Sequence, residues 1–230
     1  IEGEHEGLTE FPSIVAGPVE EQIAESIVDR MTNGACIQLG VGGMPDAIGK
    51  LIAESELKDL GIHTELLVNA YLDMHKAGKI TNLNKHDIMR GKSVFSIAHG
   101  TKELFDWVAD NPSMCCAPIN YVNDLSVIGE IDNFVSINSC IAVDLFGQIS
   151  AESAGTRHIS GTGGQLDFLT AGFKNPRAQS FIALPSTYTD KKGNLHSNIK
   201  PTFSGGDIIT DPRSQAYTMV TEYGIENLAG

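Results

Sequence analysis

Residues 36–45 read CIQLGVGGMP, and this stretch decides the fold. Its first four residues form a short, mostly apolar run that is typical of a buried strand, and glycine dominates the residues that follow. From Pro45 onward, Ile48, Leu51 and Ile52 recur at the spacing of one helix face. A strand, a glycine turn and a helix in this order form a βα unit, the building block of a parallel sheet with helices on its faces.

The same alternation continues along the chain, so the sequence predicts an α/β fold with an open, mostly parallel sheet and flanking helices. Val19, Ile23, Ile27 and Met31 have helical spacing, which predicts a first helix over residues 18–33. Further helices are predicted over residues 102–109 and 166–173, strands over residues 93–97, 134–137 and 181–184, and an exposed hairpin over residues 187–199.

Composition limits the classes of partner. The 230 residues are 41% hydrophobic, enough for one ample core. The 29 acidic and 16 basic residues give a net charge of -13, which disfavours nucleic acid and membrane surfaces as partners. An anionic cofactor can still bind where donors are gathered locally.

The cysteines and histidines point away from disulfides and metals. Cys36, Cys115, Cys116 and Cys140 show no repeated C-x-x-C spacing, so we expect reduced thiols in a cytoplasmic protein. The seven histidines lack metal-binding spacing, and no metal site is predicted. The first six residues are acidic, whereas a signal peptide would be basic.

Two glycine-rich loops, residues 40–45 and 161–164, each lead into a helical pattern. Little side-chain bulk lets backbone N–H groups approach a ligand or a developing oxyanion closely. The first loop fits neither familiar nucleotide motif, since Pro45 replaces the third Rossmann glycine and Leu51 the P-loop Ser or Thr. Taken alone, each loop is explained equally well as a turn that enters a helix without any ligand.

Glu65 is the strongest candidate for a reactive side chain. It lies in residues 61–66, GIHTEL, between the two glycine loops, with apolar Ile62, Leu66, Leu67 and Val68 around it. Most glutamates are solvated surface residues. A carboxylate in an apolar segment is poorly solvated and more reactive, so Glu65 is suited to act as base or nucleophile on an activated acyl group.

Seven stretches together resemble the acetyl-CoA hydrolase/transferase family, most closely its 4-hydroxybutyrate and butyrate:acetate CoA-transferases. The resemblance covers nearly the whole chain and is carried by residues 40–47 (GVGGMPDA), 61–66 (GIHTEL), 133–140 (NFVSINSC), 143–148 (VDLFGQ), 160–168 (SGTGGQLDF), 186–190 (STYTD) and 220–224 (VTEYG).

The resemblance implies a fold of CoA-transferase (NagB/RpiA-like) type and a place for this chain in a larger protein. Residues 1–230 would be the C-terminal catalytic domain of a two-domain enzyme, without the N-terminal half and the extreme C-terminal tail. The missing half would be a partner, and the full-length protein a homo-oligomer.

The resemblance also implies ping-pong transfer of CoA between short-chain acyl-CoA and carboxylates, through a glutamyl-CoA thioester on Glu65. Neither a metal nor a redox cofactor is needed, because the coenzyme A thioester is itself the substrate. Asn123 and the backbone of Gly163 and Gly164 would stabilise the oxyanion. The substrate and CoA side would be lined by Gly40, Gly42, Gly43, Gly161 and Gln165.

Two alternatives remain open from the sequence. An acyl-CoA hydrolase would use the same glutamate and differ only in admitting water to the intermediate. A non-catalytic α/β module would bind a sugar phosphate or nucleotide through the glycine loops, and Glu65 would be a solvated bystander. Such a module would be indifferent to replacement of Glu65 by Gln.

Overall fold

The computed structural model describes residues 7–215 and 218–228, and only the backbone of residues 172–174. The acidic residues 1–6 and the last two residues lie outside the described part. The helices are α1 (Pro18–Val28), α2 (Gly43–Glu54), α3 (Asn69–Lys76), α4 (Lys102–Val108), α5 (Ile119–Val122), α6 (Leu125–Gly129) and α7 (Gln165–Lys174).

The strands are β1 (Cys36–Leu39), β2 (Gly61–Val68), β3 (Ser93–His99), β4 (Met114–Cys116), β5 (Phe134–Ser139), β6 (Ala142–Asp144), β7 (Ile149–Ser150), β8 (Ser153–Ala154), β9 (Arg157–His158), β10 (Gln179–Ala183), β11 (Thr187–Thr189), β12 (Leu195–Ser197), β13 (Ile199–Lys200), β14 (Thr218–Thr221) and β15 (Gly224–Asn227).

The predicted open, mostly parallel sheet is confirmed. Eight strands lie in the order β15-β14-β10-β5-β1-β2-β3-β4, and only β15 runs antiparallel to its neighbour. The chain builds outward from β1 through β2 to β4, then returns to place β5 on the other side of β1. The order therefore reverses at the β1–β5 boundary, where open α/β sheets form a ligand crevice at the carboxyl ends of the strands.

Alternation along the strands places buried side chains in cores on both faces of the sheet. Cys36 and Phe134 pack with α5 to α7, whereas Ile37 and Val135, one residue further along, pack with α1 to α4. Successive side chains of a strand point to opposite faces, so both faces of the sheet are covered by helices. Among the described residues, no helix combines the length and apolar character that a membrane crossing requires.

Two details of the predicted helices are wrong. The first helix ends at Val28 because the chain tightens there: Arg30 N–H donates to the Ile27 carbonyl, a 3₁₀-type turn. Met31 is buried but lies beyond the helix, and Val19 faces solvent with 37% of its surface exposed. The second helix begins two residues before Pro45, at Gly43.

The polar hairpin is confirmed, since β11 and β12 pair antiparallel between Thr187 and Ser197. The strands β2, β4, β6 to β9, β14 and β15 were not predicted. All four cysteines are free thiols.

Candidate functional site

Glu65 lies in β2, on the face of the sheet that α5 to α7 cover. Its strand neighbour two residues back, His63, shares this face, and the His63 imidazole is fully buried. The Nε2–H of His63 donates to the carbonyl of Val122 at 2.8 Å. Burial, followed by the nearby Lys85 charge, lowers the pKa of His63 to about 4, so the imidazole is neutral at physiological pH. His63 thus fastens the end of α5 to β2.

Asn123 immediately follows Val122, and its Nδ2 donates a hydrogen bond to Glu65 Oε2 at 2.8 Å. The next residue, Asp124, caps α6 by accepting a hydrogen bond from the Ser126 N–H at 2.6 Å. Asn123 is therefore held between an anchored helix end and a capped helix start. The structure brings together two of the predicted site residues that lie 58 positions apart in sequence.

Gly164 packs directly against this pair. An added Cβ would lie 2.2 Å from both Glu65 Oε2 and Asn123 Nδ2, so a side chain at this position would displace that pair or the loop. Gly164 is also the N-cap of α7. The positive end of a helix dipole, where N–H groups lack intrahelical acceptors, therefore lies beside the Glu65 carboxylate.

Gly163 adopts φ +55°, a left-handed conformation that favours glycine. Within the part of the chain that the structure describes, neither the Gly163 nor the Gly164 N–H donates a hydrogen bond. Both donors are therefore free to bind a ligand oxygen.

A cleft of about 320 Å³ opens beside Glu65 at the carboxyl ends of β1 and β5. Its wall includes Gly40 and the whole of residues 159–165, so the predicted Gly161, Gly163, Gly164 and Gln165 share one cleft with Glu65. Its apolar lining includes Leu39, Leu66, Ile141, Ile159 and Phe168. The cleft lies where the strand order reverses, as the fold requires.

The other two glycines of the first loop lie elsewhere. Gly43 lines a neighbouring cavity, which shares Ser139 with the Glu65 cleft. Gly42, at φ +117°, provides the turn into α2 and lines neither cavity. The first loop is thus divided between the cleft, the turn and the adjacent cavity.

Asp167 is a site residue that sequence reasoning missed. Its Oδ2 lies 3.5 Å from Asn123 Nδ2, so one amide group faces two carboxylates. Burial raises the pKa of Asp167, and the hydrogen bond from Asn123 partly offsets this effect. A carboxylate accepts but does not donate, so Asp167 and Glu65 together fix the amino end of Asn123 toward them. The only signal in the sequence was an acid in the first turn of a helix.

Two further acids, one lining the cleft and one buried beside it, have no signal in the sequence. Asp211 is fully buried, and its Oδ2 accepts a hydrogen bond from Gln165 Nε2 at 2.5 Å. Burial raises the pKa of Asp211 to about 6, and the negative charge of Glu152 adds to the rise. Glu152 is 5% exposed and lines the cleft.

Comparison with known proteins places this chain in a family. Residues 100–230 match the acetyl-CoA hydrolase/transferase C-terminal domain. The chain is 50% identical to butyryl-CoA:acetate CoA-transferase from Anaerostipes caccae, over all of this chain and 52% of that protein. The chain therefore spans about half the length of the curated relatives it matches.

Two solved structures are similar to this chain over nearly its whole length. RipA from Yersinia pestis is 37% identical with a TM-score of 0.89, over 99% of this chain and 50% of that one. The 4-hydroxybutyrate CoA-transferase from Porphyromonas gingivalis is 35% identical with a TM-score of 0.80, over 98% of this chain and 51% of that one. Sequence and structure together show that the chain belongs to the acetyl-CoA hydrolase/transferase family.

Proposed function

We propose that the protein containing this chain is a CoA-transferase that moves CoA between short-chain acyl-CoA and carboxylates. Support comes from the family and from relatives named for butyryl-CoA, acetate and 4-hydroxybutyrate. The chain would be the C-terminal catalytic domain, and the complete enzyme would also need an N-terminal half and assemble as a homo-oligomer. The observation that carries the proposal is the contact of Glu65 with Asn123 and Gly164. This contact lies in the cleft at the β1–β5 boundary, where the strand order reverses.

In the proposed reaction, one Glu65 carboxylate oxygen attacks the thioester carbonyl of an acyl-CoA. The carbon–sulfur bond breaks, CoA leaves as the thiolate, and a mixed acyl-glutamyl anhydride remains. The thiolate then attacks the Glu65 carbonyl, which releases the first carboxylate and leaves a glutamyl-CoA thioester. An incoming carboxylate repeats the two steps in reverse and leaves as its own CoA ester. No metal or redox cofactor takes part.

Each attack creates a tetrahedral oxyanion, which needs donors already in position. The free N–H groups of Gly163 and Gly164 and the Asn123 amide are the proposed donors, with the N-terminus of α7 adding a favourable potential. Loss of one such donor lowers turnover by about 10²–10³ in characterised enzymes.

The balance between transfer and hydrolysis depends on water reaching the anhydride and the thioester. The leucine, isoleucine and phenylalanine side chains that line the cleft disfavour water beside Glu65, which favours transfer to a carboxylate. A hydrolase with the same nucleophile is the alternative, and it would release free CoA whether or not a carboxylate acceptor is present.

The test uses the full-length protein with butyryl-CoA, followed by borohydride and peptide mass mapping. Borohydride reduces a thioester to an alcohol, so loss of oxygen at Glu65 is the expected result. The Glu65→Gln variant should fold normally, carry no modification and lose exchange with acetate.

Three outcomes would count against the proposal. Unchanged exchange in Glu65→Gln would exclude Glu65 as nucleophile, and so would turnover of butyryl-CoA by the wild type without modification of Glu65. Release of free CoA at the same rate with and without acetate, and without formation of acetyl-CoA, would favour the hydrolase.

A further inference from the structure

The wall of the Glu65 cleft carries an unusual charge. Two carboxylates line it, those of Glu65 and Glu152, and among the described lining residues none is Lys, Arg or His. Glu152 is 5% exposed, so water screens its charge poorly. A ligand in this cleft therefore meets a negative wall beyond the reacting group.

Glu152 is held in place relative to the reacting centre. It lies between β7 and β8, and its backbone carbonyl accepts hydrogen bonds from the N–H groups of Ile159 and Ser160 at 2.7 and 3.3 Å. These two residues lead directly into the glycine loop of residues 161–164. The backbone of Glu152 is thus hydrogen-bonded to the segment that enters the loop with the proposed oxyanion donors.

No positive group neutralises this charge in the part of the chain that the structure describes. The Glu152 carboxylate accepts no hydrogen bond there and forms no ion pair. The negative charge of Glu152 acts instead on another acid, the fully buried Asp211, whose pKa it helps to raise. Asp211 Oδ1 is itself buried without a hydrogen-bond partner among the described residues.

We propose that Glu152, supported by Asp211, sets the charge class of the substrate by rejecting acyl groups and acceptors that carry a second carboxylate. The proposal rests on the proposed function and narrows its substrates to monocarboxylates. An acyl chain ending in a methyl or hydroxyl group adds no charge to the cleft. A succinyl group would bring its free carboxylate into the same poorly solvated space, where like charges repel strongly.

The test compares succinyl-CoA with butyryl-CoA in the full-length protein, with acetate as acceptor. Wild type should strongly prefer butyryl-CoA. Glu152→Gln keeps the shape but removes the charge, so the ratio of kcat/KM for succinyl-CoA to that for butyryl-CoA should rise roughly tenfold or more, which corresponds to about 1.4 kcal/mol. Asp211→Asn should raise the same ratio by less. If Glu152→Gln fails to fold, the ratio measured for Asp211→Asn decides the test.

A matched control is Glu103→Gln, which removes the same charge from an exposed ion pair with Lys76 outside the cleft and should leave the ratio unchanged. The proposal is overturned if wild type uses both thioesters equally well, or if the charge-removing variants leave the ratio at its wild-type value. If wild type transfers nothing from butyryl-CoA, the proposed function fails instead. Dissociation constants of both thioesters, measured in a Glu65→Gln background, then still report whether Glu152 discriminates by charge.

Discussion

Replacing Gly164 with alanine tests whether the contact between Glu65, Asn123 and the glycine loop matters for turnover. The new Cβ would lie 2.2 Å from Glu65 Oε2 and 2.2 Å from Asn123 Nδ2. Non-bonded heavy atoms pack at about 3.5 Å, so the side chains or the loop must move by about 1.3 Å, the difference between these distances. Movement on this scale would displace the proposed nucleophile from its proposed oxyanion donors.

A displacement of about 1 Å near a reacting centre can lower a rate by about 10²-fold. We therefore expect Gly164→Ala in the full-length protein to lower kcat for butyryl-CoA:acetate exchange about 100-fold. Overpacking should lower the free energy of unfolding by only about 1–3 kcal/mol, so the variant should still fold. Initial exchange rates and a urea titration of the same preparation measure both effects.

The matched control is Gly205→Ala, because an added Cβ there meets nothing within 4 Å and the glycine has no left-handed φ. We expect its exchange rate to equal that of wild type. The reasoning is refuted if folded Gly164→Ala keeps more than about one third of wild-type kcat, well above the 10²-fold loss expected for this displacement.

Two further predictions concern buried charges. The pKa of Asp211 rises from an ordinary 3.8 to about 6, so its ionised form destabilises the fold progressively as pH rises through 6. Asp211→Asn should therefore raise the free energy of unfolding by up to about 3 kcal/mol above about pH 7 and by little near pH 4. Urea titrations at the two pH values measure this difference. An equal gain at both would contradict the prediction. Lys85 is fully buried, and its Nζ donates to the carbonyls of Ile62 and Lys92 at 2.8 and 2.7 Å. Lys85→Met removes both of these hydrogen bonds and should cost about 2–4 kcal/mol in the same titration, whereas Lys50→Met, at an exposed position, should cost little.

The sequence predicts those parts of the fold that local patterns determine. The strand β1 was predicted to the residue, because an apolar run ends at the first glycine of the loop. The end of α1 was predicted five residues late, because Met31 continues the helical spacing after the backbone has already tightened into a turn. The strand β14 and the edge strand β15 were missed. Their pairing depends on neighbours from the rest of the sheet rather than on local sequence.

The candidate site was predictable only in part, for a similar reason. Glu65 stands out because it interrupts an apolar strand, and Gly164 because it belongs to a glycine loop. The contact between them depends on how α7 docks against the sheet, which no local pattern encodes. The sequence did not predict Glu152 and Asp211 as site residues, because acids are expected at the surface and nothing in the sequence marks these two as buried.

The position of Asp167 has a consequence for the whole proposed cycle. In that cycle Glu65 would start as a carboxylate and become an anhydride and then a thioester, so it would become a weaker hydrogen-bond acceptor for Asn123 at both steps. Asp167 takes no part in the proposed steps, and its Oδ2 lies 3.5 Å from the same amide nitrogen. An amide held by an unchanging acceptor on α7 keeps its amino end toward Glu65 while the charge of Glu65 changes. The oxyanion donor can thus remain oriented in every state, as electrostatic preorganisation requires.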